Sequence, residues 1–275
     1  MPISFKSQGF KEGYTPIVGP ENSPLQYISF ATLQLRKSSA PYTGETGGNE
    51  VVLDLFEGSA DVTVVFEGKT LEYKKIGGRK SIFDGRPTLV CLPPQTKYTV
   101  KALSDALDIG VSLGPSPSGG KPVVIGPDDN ITRLTGKGNY QRQVHLGTVE
   151  TGKTMRLMVG ETIGQQGAWS SYPPHKHDES GGGEVPQEEV YYYKLQPKQG
   201  FAIQVLYDNP GKPGGRDDAY IVRDGDTMAL DHGYHPVACA PGYQVGYLWV
   251  LYAPSDVYGS WSDDPKHAWV KEAVG

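Results

Sequence analysis

The feature that most limits how this chain can fold is a pattern of short apolar runs that occurs twice. NEVVLDLF near residue 50 is followed by the turn Asp84-Gly85, and EEVYYYKL near residue 189 is followed by Asp224-Gly225. The phrases around Tyr98 and His235 continue the match. The second copy follows the first by 137 to 140 residues, about half of the 275-residue chain. Self-similarity at a fixed offset predicts two similar domains in tandem.

Within each copy the apolar runs have the length and alternation of β-strands. They are separated by turns that draw on 36 glycines and 22 prolines spread along the chain. A helix is expected only at the end, in DDPKHAWVKEA, where Asp263 or Asp264 can cap the first turn and Pro265 suits its start. The prediction is an all-β protein built from two small sandwiches or barrels with a short C-terminal helix.

Charge and hydropathy narrow the classes of partner. The net charge is −5 and the basic residues are dispersed, which does not favour nucleic acid as a partner. No stretch approaches the roughly 20 apolar residues that a membrane-spanning helix needs, and the N-terminus lacks a signal-like apolar segment. We therefore expect a soluble cytoplasmic protein. Its two cysteines, Cys91 and Cys239, are expected to be buried free thiols.

Four side chains of the second copy form a candidate metal site. All six histidines follow residue 144, so any histidine chemistry belongs to this copy. On a strand, His175 and His177 would share one face. Glu189 opens the next apolar strand, and His235 would arrive from a later one.

Three imidazoles and one carboxylate suit Fe(II), Mn(II), Ni(II) or Zn(II) and leave coordination positions open for a substrate. The alternative is structural. His175 and His177 would then be a surface pair, and His235 a hydrogen-bonded core residue. The presence of the full set in one copy favours the metal site.

These residues resemble the cupins, in which a metal is held by His-x-His, a Glu before a strand and a later His. The phrases WSSYPPHKHD, EEVYYYKL, GFAIQVLY, VRDGDTMAL, GYHPVACAPGYQ and HAWV are similar to the 5-deoxy-glucuronate isomerase family of myo-inositol catabolism. The resemblance implies a bicupin of two jelly-roll barrels. Residues 1–145 would be a degenerate, metal-less cupin with Tyr98 in place of the metal histidine, and residues 146–275 the metal-binding cupin.

The resemblance also implies an activity, the isomerisation of the aldose 5-deoxy-D-glucuronate to the ketose 5-dehydro-2-deoxy-D-gluconate. Proton transfer and direct hydride shift both remain open as routes. The ligand set alone does not choose a reaction. A related uronate ketol-isomerase, a metal-dependent dioxygenase and a non-catalytic sugar-binding bicupin are therefore kept as alternatives, and a homo-oligomer is expected.

Further candidates lie around the ligands. Tyr191 and Tyr193 share the Glu189 face and are either catalytic pocket residues or core aromatics. Arg142 resembles a family position and is expected to bind the substrate carboxylate. Lys176 is a second substrate-binding candidate, although strand alternation turns it away from the ligand face. Segment 178–188 is rich in glycine and acidic residues and is predicted to be a loop at the pocket mouth, either a lid or an insertion.

Overall fold

A computed structural model describes residues 1–117, 120–208, 215–253 and 258–273. The strands of the first half, in chain order, are β1 (Ser4–Phe5), β2 (Gly13–Val18), β3 (Ser29–Leu35), β4 (Tyr42–Glu45), β5 (Asn49–Glu57), β6 (Ser59–Phe66), β7 (Lys69–Gly77), β8 (Leu89–Leu92), β9 (Lys97–Ala102), β10 (Leu107–Pro115) and β11 (Val123–Ile125).

The elements that follow are β12 (Thr132–Thr135), β13 (Arg142–His145), β14 (Leu157–Gly164), β15 (Trp169–Ser170), β16 (His175–Lys176), β17 (Glu188–Gln196), β18 (Ala202–Tyr207), β19 (Asp217–Val222), β20 (Thr227–Leu230), β21 (Val237–Cys239), β22 (Gln244–Tyr252), β23 (Ser262–Asp263) and α1 (Val270–Ala273). Two short 3-10 helices cover Pro127–Asp129 and Gly138–Tyr140.

The two halves repeat one sheet topology. The large sheet of the first half has the order β11-β8-β5-β10-β3-β2, and that of the second half runs β1-β20-β17-β22-β14-β13-β12. Each large sheet faces a four-stranded sheet, β4-β9-β6-β7 in the first half and β15-β21-β18-β19 in the second. The expected all-β architecture of two jelly-roll domains with a short C-terminal helix is confirmed.

Three apolar cores hold the layers together. One lies inside each jelly roll, and the third lies between the two large sheets. The period of two along a strand divides the residues between cores: Tyr191 and Tyr193 point into the second jelly roll, whereas Val190 and Tyr192 point into the interface. Burial on both faces explains the nearly continuous apolar runs. The thiols of Cys91 and Cys239 are buried and free, as expected.

The strand pairing bears on where the two domains divide. β12 and β13 pair in series with β14, so residues 132–145 belong to the large sheet of the second half. Ser4–Phe5 also pairs with that sheet, through β20. We therefore propose a division between β11 and β12, ahead of the one expected after residue 145, with the first strand crossing to the second domain.

A buried ionic cluster spans the domain interface. The Arg79 guanidinium makes a bidentate pair with the Glu161 carboxylate, with Nη1 2.7 Å from Oε2, and its Nη2 lies 3.2 Å from Oδ1 of Asp54. The two carboxylates are fully buried and the Arg79 side chain is 6% exposed. Burial raises the pKa of Asp54, nearby Glu161 raises it further, and Arg79 opposes the rise. The cluster links β5 to β14 across the interface.

The C-terminal helix is shorter than the sequence predicts. Asp264 does cap the segment, since its Oδ1 accepts the backbone N–H of Lys266 at 2.8 Å. Turns follow before the single helical turn α1 begins at Val270. Among the described residues, no helix has the length and apolar character needed to cross a membrane.

Candidate metal centre and substrate cavity

The four predicted ligands come from separate elements of the second jelly roll. His175 lies in β16, His177 follows it, Glu189 is the second residue of β17, and His235 stands just before β21. β17 belongs to the large sheet and β21 to the four-stranded sheet that faces it. The jelly-roll interior therefore brings together side chains that are up to 60 residues apart in the chain.

Three of the four ligands converge closely. Nε2 of His177 lies 3.2 Å from Oε2 of Glu189, and Nε2 of His235 lies 3.4 Å from the same oxygen. All three side chains are buried, and their ligand atoms lie within 4.8 Å of one another. The His175 ring stands beside them, with its centroid 4.9 Å from that of His235. The structure thus brings the predicted ligand set together, with His175 at its edge.

The backbone orients each imidazole in the same way. Every Nδ1 faces a main-chain carbonyl oxygen, so an Nδ1–H donor leaves Nε2 unprotonated and free to bind a cation. The carbonyls are those of Pro173 for His175 at 3.4 Å, Gln187 for His177 at 2.8 Å and Gly233 for His235 at 2.9 Å. Nε2 of His235 is buried and has no hydrogen-bond partner among the described residues. A buried acceptor left in this state fits a divalent metal ion.

At His175 and His235 the local electrostatics favour the neutral imidazole, the form that binds metals. Burial lowers the pKa of His175 well below its usual value, and the neighbouring imidazoles and Arg142 lower it further. Burial also lowers the pKa of His235. For His177, burial lowers the pKa, but the hydrogen bond and charge of Glu189 outweigh it and the net shift is upward.

A cavity of about 500 Å³ opens onto the ligands. Its wall combines aromatic and cationic side chains with the ligands His175, His177 and Glu189. The aromatic members are Tyr140, Tyr172, Tyr191, Tyr247, Trp249, Tyr258 and Trp261, and the cationic members are Arg133, Lys137, Arg142 and Lys271. Such a wall suits a small anion that carries apolar faces.

The two tyrosines predicted on the ligand face are separated by the structure. Tyr191 lines the cavity, and its hydroxyl lies 3.0 Å from Oγ of Ser171. Tyr193 is fully buried, is not part of the cavity wall and donates its hydroxyl hydrogen to Oε1 of Gln204. Tyr193 therefore packs as a core aromatic, whereas Tyr191 stands where a substrate can meet it.

The two predicted substrate-binding residues are also separated. Arg142 is part of the cavity wall, where its Nη1 donates to the carbonyl oxygens of Tyr140 and Tyr172, both at 3.2 Å. Lys176 is outside the wall. Its ammonium lies 2.6 Å from Oδ1 of Asp178 and 3.0 Å from Oε1 of Glu184. Lys176 thus anchors the neighbouring loop and does not face the cavity.

Glu184 organises the segment 178–188. Besides binding Lys176, its Oε1 accepts the backbone N–H groups of Asp178 at 2.6 Å and Glu179 at 2.8 Å. These bonds tie the loop to the strand that carries His175. Within residues 178–188, all of which the structure describes, Gln187 alone lines the cavity, and Glu189 follows directly after the segment.

Several wall residues were missed by the sequence reasoning. Tyr247 lies on β22, where a period of two on an apolar strand was the available signal. The Tyr247 hydroxyl lies 2.6 Å from Oγ of Ser170. Trp261 belongs to the segment that pairs with β16, and its ring centroid is 5.4 Å from that of His175. No local pattern predicts that contact, because it depends on the path of the C-terminal segment.

Comparison with known proteins identifies the family of this chain. Residues 4–270 match the model of the KduI/IolB family. A protein of Geobacillus kaustophilus curated as 5-deoxy-glucuronate isomerase is 33% identical over 265 residues, which are 96% of this chain and 92% of that protein. A Bacillus subtilis strain 168 protein of the same name is 32% identical over 261 residues, 93% of this chain and 92% of its own length.

Solved structures show the same fold. The crystal structure of an IolB-like protein from Salmonella typhimurium LT2 aligns with a TM-score of 0.89 at 29% identity, covering 98% of this chain and 99% of that one. Oxalate decarboxylase of Lactobacillus farciminis aligns with a TM-score of 0.70 at 12% identity, covering 97% and 89%. The second likeness concerns the fold alone. By its match over almost its entire length, the chain belongs to the KduI/IolB family.

Proposed function

We propose that this protein is a metal-dependent aldose–ketose isomerase that converts 5-deoxy-D-glucuronate to 5-dehydro-2-deoxy-D-gluconate. The reaction would be a step of myo-inositol catabolism and would take place in the cytoplasm. The observation that carries the proposal is a single cavity whose wall contains the candidate ligands His175, His177 and Glu189 together with Arg142. His235 completes the buried ligand group, with its Nε2 3.4 Å from Oε2 of Glu189. The name of the curated relatives supplies the particular sugar acid. Assembly into a homo-oligomer stays a prediction.

His175, His177, Glu189 and His235 would hold the metal, and their chemistry suits Fe(II), Mn(II), Ni(II) or Zn(II). A divalent ion supplies a positive charge that polarises a carbonyl and stabilises negative charge developing on oxygen. The protein's part is to keep the site dry and the ligands oriented. Trp249 and Tyr258, which both line the cavity, stack with ring centroids 5.6 Å apart.

Arg142 is suited to hold the carboxylate of the sugar acid. A guanidinium can pair with both oxygens of a carboxylate, which fixes the orientation of the substrate as well as its position. Two backbone carbonyls hold the guanidinium in the wall, so it is placed before the substrate arrives. This contact sets which end of the sugar chain faces the ligands.

Tyr191 is suited to donate a proton or a hydrogen bond. Burial raises the pKa of Tyr191 well above its ordinary value, and nearby Glu189 raises it further. The phenol therefore keeps its proton at neutral pH. Its Oη, close to Ser171, can donate to a substrate oxygen on which charge develops, while the phenolate needed for a general base is disfavoured.

The test is turnover of 5-deoxy-D-glucuronate by the metal-loaded protein, with the product identified by NMR. Conversion to the ketose supports the proposal. Bound metal without turnover of this sugar would mean that the substrate is wrong, and related uronates would be assayed next. Oxygen consumption with iron would instead identify a dioxygenase, and sugar binding without turnover would identify a binding protein.

Replacing Arg142 tests the carboxylate contact. Because charge-assisted hydrogen bonds contribute about 1.5–3 kcal/mol each, losing a bidentate pair in Arg142→Met is expected to lower kcat/KM by at least about 100-fold, mainly through KM. Arg142→Lys keeps the charge but not the bidentate geometry, and a smaller loss of about 10-fold is expected. Steady-state kinetics on the sugar acid measure both effects.

Two controls sharpen this prediction. Arg223→Met removes an exposed arginine that is not part of the cavity wall and should leave kcat/KM unchanged. A neutral substrate analogue with a hydroxymethyl group in place of the carboxylate should be processed equally by wild type and Arg142→Met. An equal loss on the neutral analogue would show that Arg142 acts on the structure of the cavity and not on the carboxylate.

A further inference from the structure

One carboxylate next to the metal site belongs to an unusual contact between the domains. Glu188 opens β17, and its side chain leaves the second domain to reach the segment that precedes β3. Its Oε2 accepts the backbone N–H of Gln26 at 2.7 Å, and its Oε1 accepts those of Tyr27, at 2.7 Å, and Ile28. Three successive N–H groups of the first domain thus bind one carboxylate of the second.

The residues on both sides of Glu188 serve the metal ligands directly. The carbonyl oxygen of Gln187 orients the His177 imidazole at 2.8 Å, and the Gln187 N–H donates to the carbonyl oxygen of His177 at the same distance. Glu189 is itself a ligand. Glu188 therefore stands between two residues of the metal site. Gln187 on one side orients the ligand His177, and Glu189 on the other side is a ligand itself.

The neighbouring strand end is anchored to the first domain as well. Tyr252 is the partner of Glu188 in the β17–β22 ladder. Its ring stacks on that of Tyr27, with centroids 4.8 Å apart, and its hydroxyl donates to the carbonyl oxygen of Pro115 at 2.8 Å. The first domain thus holds two adjacent strand ends at the edge of the metal site.

The first domain contains the same anchor in the opposite direction. The Glu50 carboxylate accepts the backbone N–H groups of Met155 at 2.8 Å, Arg156 at 2.6 Å and Leu157, at the start of β14. The two carboxylates therefore form a reciprocal pair across the interface, each fixing the entry to a strand of the other domain.

Strand register shows that the two anchors are equivalent. Val51 pairs with Leu92 and Leu113, and Glu189 pairs with Leu230 and Leu251 in the matching strands. Glu50 therefore corresponds to Glu188, and the ligand position of the first domain holds Val51. Although Glu50 and Glu189 both stand at the start of an apolar strand, they are not equivalent positions. Glu50 is thus an anchor of the same kind without a metal ligand beside it.

We propose that Glu188 is a positioning residue for the metal centre, through which the metal-less first domain holds residues 187–189 in the geometry that binds the ion. The inference rests on the metal site of the proposed function. It assigns the first domain a role in the chemistry of the second, because the N–H groups that bind Glu188 belong to residues 26–28.

The experiment compares Glu188→Gln with Glu50→Gln in the full chain. Each removes one charge from a set of three successive N–H contacts, so both variants should lower the melting temperature. Glu50 is buried and also accepts the Ser116 hydroxyl at 3.3 Å, so Glu50→Gln should lower it at least as much as Glu188→Gln. Loss of a group that orients metal ligands typically weakens metal binding 10- to 100-fold. The dissociation constant for Co²⁺, measured by chelator competition, is expected to rise at least about 10-fold in Glu188→Gln and to stay near the wild-type value in Glu50→Gln.

The visible spectrum of bound Co²⁺ provides a second readout, since it reports ligand geometry and should change in Glu188→Gln alone. Glu188→Asp keeps the charge but shortens the side chain, and offers a milder variant if Glu188→Gln does not fold. If both variants fold, the affinity of Glu188→Asp for Co²⁺ should lie between those of wild type and Glu188→Gln. If only Glu188→Asp folds, its affinity should be lower than that of wild type.

The outcomes separate the two proposals. If wild type binds Co²⁺ and both glutamine variants bind it equally well, or weaken equally, Glu188 has no special role and the inference is overturned while the metal site stands. If wild type does not bind Co²⁺, the metal site and the inference fail together. An unchanged affinity in Glu188→Asp, with Glu188→Gln unfolded, would also overturn the inference.

Discussion

His235→Ala is expected to remove the metal from the protein and, with it, nearly all isomerase activity. The substitution deletes a buried Nε2 that has no hydrogen-bond partner among the described residues. This atom lies 3.4 Å from the Glu189 carboxylate oxygen with which it would share the ion. Loss of an outer group that merely orients a ligand lowers metal affinity or activity by up to about 100-fold. Loss of a ligand should therefore exceed about 100-fold in both metal affinity and turnover.

His232→Ala is the matched control. His232 is close in the chain, but it is partly exposed, pairs with Asp231 at 3.0 Å and is not part of the buried group that contains His235. It should retain one metal ion per chain and wild-type turnover. Metal content by elemental analysis and initial rates measure both variants. Full metal content in His235→Ala would contradict the ligand assignment.

Arg79→Met is expected to produce the largest loss of stability. It would leave the carboxylates of Asp54 and Glu161 buried at the domain interface without their cation. Removing one partner of a buried ion pair typically costs about 3–5 kcal/mol, because the remaining charge has neither water nor a partner. Equilibrium unfolding in denaturant measures the change in the free energy of unfolding.

The loss in Arg79→Met should also depend on pH. Burial already raises the pKa of Asp54, and removing Arg79 takes away the group that opposes the rise. For a carboxyl whose folded-state pKa is raised, the favourable contribution is present below its unfolded pKa and is lost as pH rises through the folded pKa. The destabilisation should therefore be smallest in acid and grow as the pH rises.

Two comparisons check this prediction. Lys97→Met breaks an exposed pair with Glu45 and should change the free energy of unfolding by less than about 1 kcal/mol. The triple variant Arg79→Met, Asp54→Leu, Glu161→Leu removes all the buried charges and should recover much of the loss. A loss in Arg79→Met no larger than that in Lys97→Met would show that the cluster contributes little.

Much of the candidate site follows from local patterns in the sequence. The spacing of His175 and His177 on an extended segment places both imidazoles on one face. Glu189 stands at the start of an apolar strand, which places its carboxylate on an interior face. The repeated pattern of strands identified two domains, and Tyr98 matched His235 correctly. The strand pairing supports this match. Tyr98 lies in β9 and His235 just before β21, and these strands pair with the equivalent strands β6 and β18 of their four-stranded sheets.

Other features required the tertiary structure. Tyr191 and Tyr193 have the same periodicity and the same face, yet only Tyr191 reaches the cavity, because the cavity ends before the core position that Tyr193 fills. The acidic loop binds the ammonium of Lys176 and keeps it away from the cavity, a contact that no local pattern predicts. Periodicity assigns a face of a strand, but it does not assign the depth along that face.

The sequence by itself determined the fold class and the repeat of this protein and predicted the candidate metal ligands, because each depends on the alternation of residues along single strands. Only the tertiary structure decided which side chains form the cavity, how the C-terminal segment reaches His175, and that Glu188 binds backbone groups some 160 residues away. Those contacts depend on how separate sheets pack and on the path of the connecting chain, and neither is encoded in a local period.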